Sequence, residues 1–209
     1  MTGYAELQVT TNFSFLRGAS HIEELFAQAS LLRLPALGIT DRNSLAGIPR
    51  AHQRAKETGT RLVIGCRLDL TDGTAILVYP TDRLAYARLC RLLTLGKSRA
   101  GKGACELHWA DLAAANMGMI GILASPPTHA IMRRLKDDFG DRAYAALTLH
   151  RRPDDALRLH NIVTMARAVR VPAVVTGDVL YHTPGRRILQ DVLTCIREGR
   201  TIDTIGYLR

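Results

Sequence analysis

Two aspartates stand just past short apolar runs, Asp41 after LGIT at residues 37–40 and Asp178 after VVTG at residues 174–177. In chains that alternate strands with helices, reactive groups gather where a strand ends and the backbone turns toward the next helix. The other polar residues at such ends are Thr10, Thr11 and Asn12, then Arg42 and Asn43, Cys66 and Arg67, Ser125, and His150. Only the two aspartates among them serve routinely as metal ligands or general bases. A carboxylate in that place is more often a helix cap or turn former, and Asp41, followed by Asn43 and Ser44, suits that role.

The remaining chemistry-bearing residues do not assemble into a motif. His21, His52, His108, His129, His150, His160 and His182 are scattered, and neither HxH nor HExxH occurs to supply two imidazoles at close spacing. Cys66, Cys90, Cys105 and Cys195 show no CxxC spacing and read as reduced, buried thiols of a cytosolic protein. The phosphate-cradling GxxxxGK[ST] and the dinucleotide glycine fingerprint are both missing. Three arginine doublets, Arg133-Arg134, Arg151-Arg152 and Arg186-Arg187, are weak signs of a nucleic-acid surface.

The elements that must position these groups alternate almost from end to end. Strands are expected at residues 6–10, 36–40, 61–70, 74–79, 119–123, 143–149 and 173–176. Helices are expected near residues 45–57, 82–95, 110–116, 130–138, 154–168 and 186–198. Another helix opens on a capping box formed by Ser20 and Glu23. Behind that box Ile22, Leu25, Phe26, Ala29 and Leu32 recur at helical spacing, an apolar stripe facing a core. Asp72-Gly73 is a hairpin turn, since both residues tolerate positive φ. Residues 97–103 (KSRAGKG) are expected as a basic, glycine-rich loop. The alternation argues for parallel strands with helices packed outside, and both a β/α barrel and an open doubly wound sheet satisfy it.

With 209 residues, 47% of them hydrophobic and 22% charged, the chain fits one ordered domain. No apolar run approaches the ~20 residues that span a bilayer, and residues 1–12 are too polar for a signal peptide, so a cytoplasmic protein without membrane attachment is expected. The net charge of +9 fits either a solvated basic surface or a polyanionic partner.

Four segments, LQVTTNFSFLRGAS, ALGITDRNSLAG, RLVIGCRLDLTDG and AVVTGDVLYHTPGRRILQDVLTCIREG, occur in the order and at the spacing of a known family. Together they resemble the PHP (polymerase and histidinol phosphatase) domain that opens bacterial C-family DNA polymerase alpha subunits. FSFLRGASH, RLCRLLTLGK and TGDVLYH are most similar to its error-prone, damage-tolerant branch. The resemblance implies an α/β fold, a distorted barrel of the (β/α)7 type, incomplete if the chain stops short. It also implies that residues 1–209 form one PHP domain, a fragment of a longer polymerase.

Active members of the family hold up to three metal ions on histidines and carboxylates at strand ends. Where their first motif has His-x-His this chain has Gln8 and Thr10, and where the second has Asp-His it has Asp41 and Arg42. Arg67 replaces a glutamate, and Asp178 is followed by Leu180 in place of a histidine. Leucine has no lone pair, and two guanidiniums would put positive charge where cations bind. At an effective dielectric of ~20, a unit charge at ~4 Å costs about 4 kcal/mol, doubled for a divalent ion. The resemblance therefore implies a vestigial site without metal or catalytic residues. Arg67 and Arg42 are expected to neutralise Asp41 or Asp178, and His182 is the one displaced imidazole in reach if a strand continues through residues 178–182. The function implied is structural or partner-binding, inside a polymerase for DNA synthesis and damage tolerance. DNA and other replication or lesion-bypass proteins are the partners, and magnesium belongs to the polymerase body outside this chain. The rival implication is a metal-dependent phosphoesterase or proofreading 3'-5' exonuclease.

Overall fold

The structure, a computed structural model, describes residues 3–206. The chain runs through β1 (Glu6–Val9), α1 (Ile22–Leu31), β2 (Ala36–Ile39), α2 (Ile48–Thr58), β3 (Arg61–Ile64), β4 (Cys66–Asp69) and β5 (Ala75–Pro80). There follow α3 (Arg83–Arg99), α4 (Trp109–Ala115), β6 (Met119–Leu123), α5 (His129–Phe139), β7 (Ala143–Leu147), α6 (Asp155–Ala168), β8 (Ala173–Val175) and α7 (Arg187–Glu198). Among the described residues no helix is long and apolar enough to cross a membrane. Two compact units divide the chain, residues 1–64 with 177–209, and residues 65–176.

The first unit carries a parallel sheet in the order β1-β2-β3. Segment 177–179 takes the other edge of β1: Val179 N–H donates to Gln8 O (2.8 Å) and Thr10 N–H to Val179 O (2.9 Å). Of the expected α1 stripe, Ile22, Leu25, Phe26 and Ala29 are buried and pack with Val9, Ile39 and Ala51 into one core, whereas Leu32 caps the helix C-terminus and is 61% exposed. Gly38 is required by the close approach of β1, since a Cβ there would lie 2.5 Å from Leu7 O. Gly59 ends α2 in the left-handed conformation, at φ 72°.

The second unit carries a mixed sheet in the order β4-β5-β6-β7-β8. Its β4–β5 and β5–β6 pairs are antiparallel, and β6, β7 and β8 run parallel. Asp82 caps α3 by accepting from Ala85 N–H at 2.7 Å, and Thr128 caps α5 by accepting from Ile131 N–H at 3.2 Å. Ile76, Leu77, Leu89, Leu112, Met119 and Met132 are fully buried in its core.

Four expectations are corrected. The run at residues 61–70 is two strands, broken at Gly65 and belonging to different sheets. The second sheet is not uniformly parallel, because the short Thr71-Asp72-Gly73 loop joins β4 to β5, which must then run antiparallel. Lys97 to Arg99 are helical: basic groups in the last turn of α3 complement the helix dipole, and Ser98 Oγ bonds Leu95 O at 2.8 Å. The capping box of α1 sits one residue later than expected, with His21 N–H donating to Glu24 Oε2 at 2.9 Å.

Candidate functional site

In the first unit, β1 presents alternate side chains inward, and two of them are polar. Glu6 is buried and its Oε1 accepts from the N–H groups of Gln8 (2.7 Å) and Gly177 (3.0 Å), clamping the returning chain to the strand. Tyr4 donates its hydroxyl to Glu6 Oε2 at 2.7 Å. Burial, that hydrogen bond and the neighbouring carboxylate charge push the Tyr4 phenol well above its usual range. Sequence reasoning missed Glu6, whose signal was a carboxylate on the inward alternation of an otherwise apolar strand.

Gln8 is buried, and its Nε2 donates to Asp178 Oδ1 at 2.6 Å. Its Oε1 is buried with no hydrogen-bond partner among the described residues. Asp178 takes φ 49°, a left-handed conformation that aspartate tolerates better than most residues. Thr10 is buried at the end of the same strand and is tied through its N–H to the returning segment.

Asp41, just past β2, is 1% exposed. Its Oδ1 accepts from Thr11 N–H (2.8 Å) and Ser14 Oγ (2.6 Å), and its Oδ2 accepts from Thr11 Oγ1 (2.8 Å). Arg42 N–H donates to Ser14 Oγ at 2.9 Å, so the same hydroxyl links both sides of the turn. Burial raises the Asp41 carboxyl above the ordinary carboxylate range, and the bonds from Ser14 and Thr11 only partly oppose that rise.

His182 does not extend a strand from Asp178. Its Nδ1 lies 2.7 Å from Ser20 Oγ, its N–H donates to that same oxygen at 3.0 Å, and Glu24 Oε2 lies 3.9 Å from Nδ1. Arg186 pairs closely with Glu24. Burial raises the Glu24 carboxyl, but the His21 N–H bond and the Arg186 and His182 charges outweigh it and leave the net shift downward. Leu180 contributes its backbone oxygen to Ala19 N–H at 2.8 Å.

In the second unit Arg67, on β4, donates through Nε to Asp69 Oδ1 at 2.8 Å. The two residues stand two apart on one strand and so share a face. Cys66 beside it is buried. Ser125 Oγ is buried without a partner among the described residues, and His150 is exposed. Among the described residues, no three His, Cys, Asp or Glu side chains converge closely enough to hold a metal ion.

Against known proteins, residues 6–152 match the model of the PHP domain family. Over 210 aligned residues the chain is 58% identical to error-prone DNA polymerase 2 of Agrobacterium fabrum, with 99% of this chain and 19% of the relative covered. It is likewise 58% identical to error-prone DNA polymerase 2 of Rhizobium meliloti (99% and 19%) and 47% to the error-prone DNA polymerase of Caulobacter vibrioides (98% and 19%). The chain therefore spans only about a fifth of the length of these curated relatives. Among solved structures, a candidate metal-dependent phosphoesterase from Bifidobacterium adolescentis superposes with a TM-score of 0.63 at 15% identity, covering 88% of this chain and 90% of that one. An amidohydrolase from Chromobacterium violaceum, crystallised with sulfate and no metal, gives 0.58 at 17% identity, covering 87% and 88%. At such identities the likeness concerns the fold, and the PHP-type α/β fold expected from the sequence is the one found.

Proposed function

The chain belongs to the PHP domain family, and from that premise we propose that it serves as the non-catalytic PHP domain of an error-prone DNA polymerase acting in DNA synthesis and damage tolerance. The observation that carries this reading is identity of 57–59% over 99% of the chain to error-prone DNA polymerases. On this reading residues 1–209 are one PHP domain. Nucleotide transfer and its magnesium belong to the longer polymerase, which works on DNA in the cytoplasm with other replication or lesion-bypass proteins.

The family's metal cluster does not fit the residues present. Gln8 turns an amide N–H₂ toward Asp178, which is a donor where a metal needs a lone pair. Asp41 is engaged by an N–H and two hydroxyls. Thr10, Arg42, Arg67 and Leu180 offer no imidazole or carboxylate. On this reading the site acts as a polar framework for the turns that follow β1 and β2.

Two measurements test the proposal together. Replacing the N-terminal fifth of the Agrobacterium enzyme with this chain should preserve damage-induced mutagenesis in cells lacking the native polymerase. Elemental analysis of the chain purified without chelator should find zinc, manganese and iron far below one per molecule. Stoichiometric metal, with phosphodiester hydrolysis lost in Asp41→Asn, would replace this reading with the phosphoesterase or exonuclease one.

A further inference from the structure

On α3, Leu84, Arg88, Arg91 and Leu95 recur at i, i+4, i+7 and i+11 and so lie along one helix face. That face is not packed away: Leu84 is 66% and Leu95 40% exposed, and Arg91 is exposed. Beside it α4 presents Ala110 and Ala114, also exposed, and between the two helices lies a groove of about 450 Å³. Small side chains on one wall and long ones on the other leave room for an inserted side chain.

The charge of the groove is one-sided. From Arg83 to Cys105 the sequence contains Arg83, Arg88, Arg91, Lys97, Arg99 and Lys102 and no acidic residue. The one carboxylate lining the groove, Asp111, is held by Arg99 through two hydrogen bonds of 2.5 and 3.0 Å. Arg88 donates to a neutral carbonyl, Met117 O, at 2.9 Å. Arg91 has no hydrogen bond or ion pair among the described residues. Two guanidiniums therefore face the groove without a compensating anion, next to exposed leucines and an alanine wall.

We propose that the α3–α4 groove docks a short acidic, leucine-bearing amphipathic helix of a partner protein, its carboxylates on Arg88 and Arg91 and its leucine against Ala114. The mixture of cations and apolar wall is what selects a peptide. A nucleic-acid strand would call for cations interleaved with exposed aromatic rings for stacking, and the only tryptophan, Trp109, is buried. An amphipathic helix offers anchors at i and i+3 or i+4, the spacing at which Arg88, Arg91 and Leu95 repeat. This surface lies wholly within the second unit, and the inference stands apart from the polymerase reading.

The test uses the full chain and fluorescence anisotropy of a labelled peptide with glutamates and leucines at helical spacing. A glutamate-only peptide and oligothymidylate serve as comparison probes. The leucine-bearing peptide should bind more tightly than either, and Arg91→Glu and Ala114→Phe should each weaken it about tenfold or more. Arg133→Glu, the same charge change on an exposed site of α5, should leave it within about twofold. Melting temperatures confirm folding, and if Ala114→Phe unfolds, the comparison of Arg91→Glu with Arg133→Glu decides. Absence of peptide binding, equal loss in Arg133→Glu, or tighter binding of oligothymidylate with the same Arg91 dependence would each overturn the proposal.

Discussion

Gln8 Nε2 donates to Asp178 Oδ1 across 2.6 Å, joining residues 170 positions apart in sequence and fastening the returning segment to the first strand. The amide supplies the positive end of a dipole to a half-buried carboxylate. Gln8→Leu should lower stability by about 1–3 kcal/mol, the cost of leaving a half-buried carboxylate without its donor. Gln8→Glu should be worse, and in a pH-dependent way. Two carboxylates at this distance cannot both ionise easily, so the folded-state pKa of the pair rises. Stability is then retained below the ordinary carboxylate range near pH ~4 and lost as pH rises through the raised value. Urea melts of Gln8→Glu and the native chain should therefore diverge between about pH 4 and 7. Parallel curves would show that the two side chains do not share a site.

How much of this was legible follows from which forces acted locally. The α1 stripe and the apolar runs of β2 and β6 were readable because burial imposes a period on the sequence. The break at Gly65 was not, because apolar residues continue on both sides of it and only the pairing partners change. Glu6 was passed over because a charged residue in a strand ordinarily faces solvent. Here backbone donors from Gln8 and Gly177 make its burial tolerable, and Gly177 is distant in sequence. The Arg67–Asp69 pair was legible in principle, since residues two apart on a strand share a face. The family resemblance pointed to Gln8, Asp41 and Asp178 but carried no information on the hydrogen bonds these residues make.

Asp41 should be more valuable as a hydrogen-bond acceptor than as a charge. Asp41→Ala strips the Thr11 N–H and the Thr11 and Ser14 hydroxyls of their shared acceptor, and should cost about 1–3 kcal/mol or more if the Thr11 N–H stays buried and unpaired. The pH behaviour has a definite sign. Burial places the folded-state pKa above the unfolded one, so the protonated form favours folding. That contribution is complete below the unfolded pKa near ~3.9 and disappears as pH rises through the folded value. Asp41→Asn removes the titration. The stability of the native chain relative to Asp41→Asn should therefore fall as pH rises from about 4 toward neutrality, measured by denaturant melts at each pH. A native advantage that grows with pH would contradict the assignment.

Arg67→Met should be mild. Its ion pair with Asp69 is local, and the side chains are 16% and 32% exposed, so solvent screens the attraction and neither charge is stranded in a dry interior. A loss below about 1 kcal/mol is expected, similar to that of Arg133→Met on the exposed face of α5. A loss of about 3–5 kcal/mol would mark a buried, structurally indispensable charge pair instead.

Binding of the chain to DNA should be weak, indifferent to sequence and steep in salt. The +9 net charge is not organised around any recognised reader motif. Its cations therefore act as a diffuse field that releases condensed counterions, and the logarithm of the duplex binding constant should fall with a slope of about −0.9 per phosphate neutralised. The diffuse character gives a sharper test than the slope alone. Arg91→Glu and Arg133→Glu remove equal charge from separate helices, so they should weaken duplex binding to a similar degree and leave sequence preference flat. The acidic peptide, by contrast, should distinguish them. Anisotropy titrations of both probes at two salt concentrations make the comparison. If Arg133→Glu were silent while Arg91→Glu abolished DNA binding, the field would be local, and the α3–α4 groove would be a nucleic-acid site.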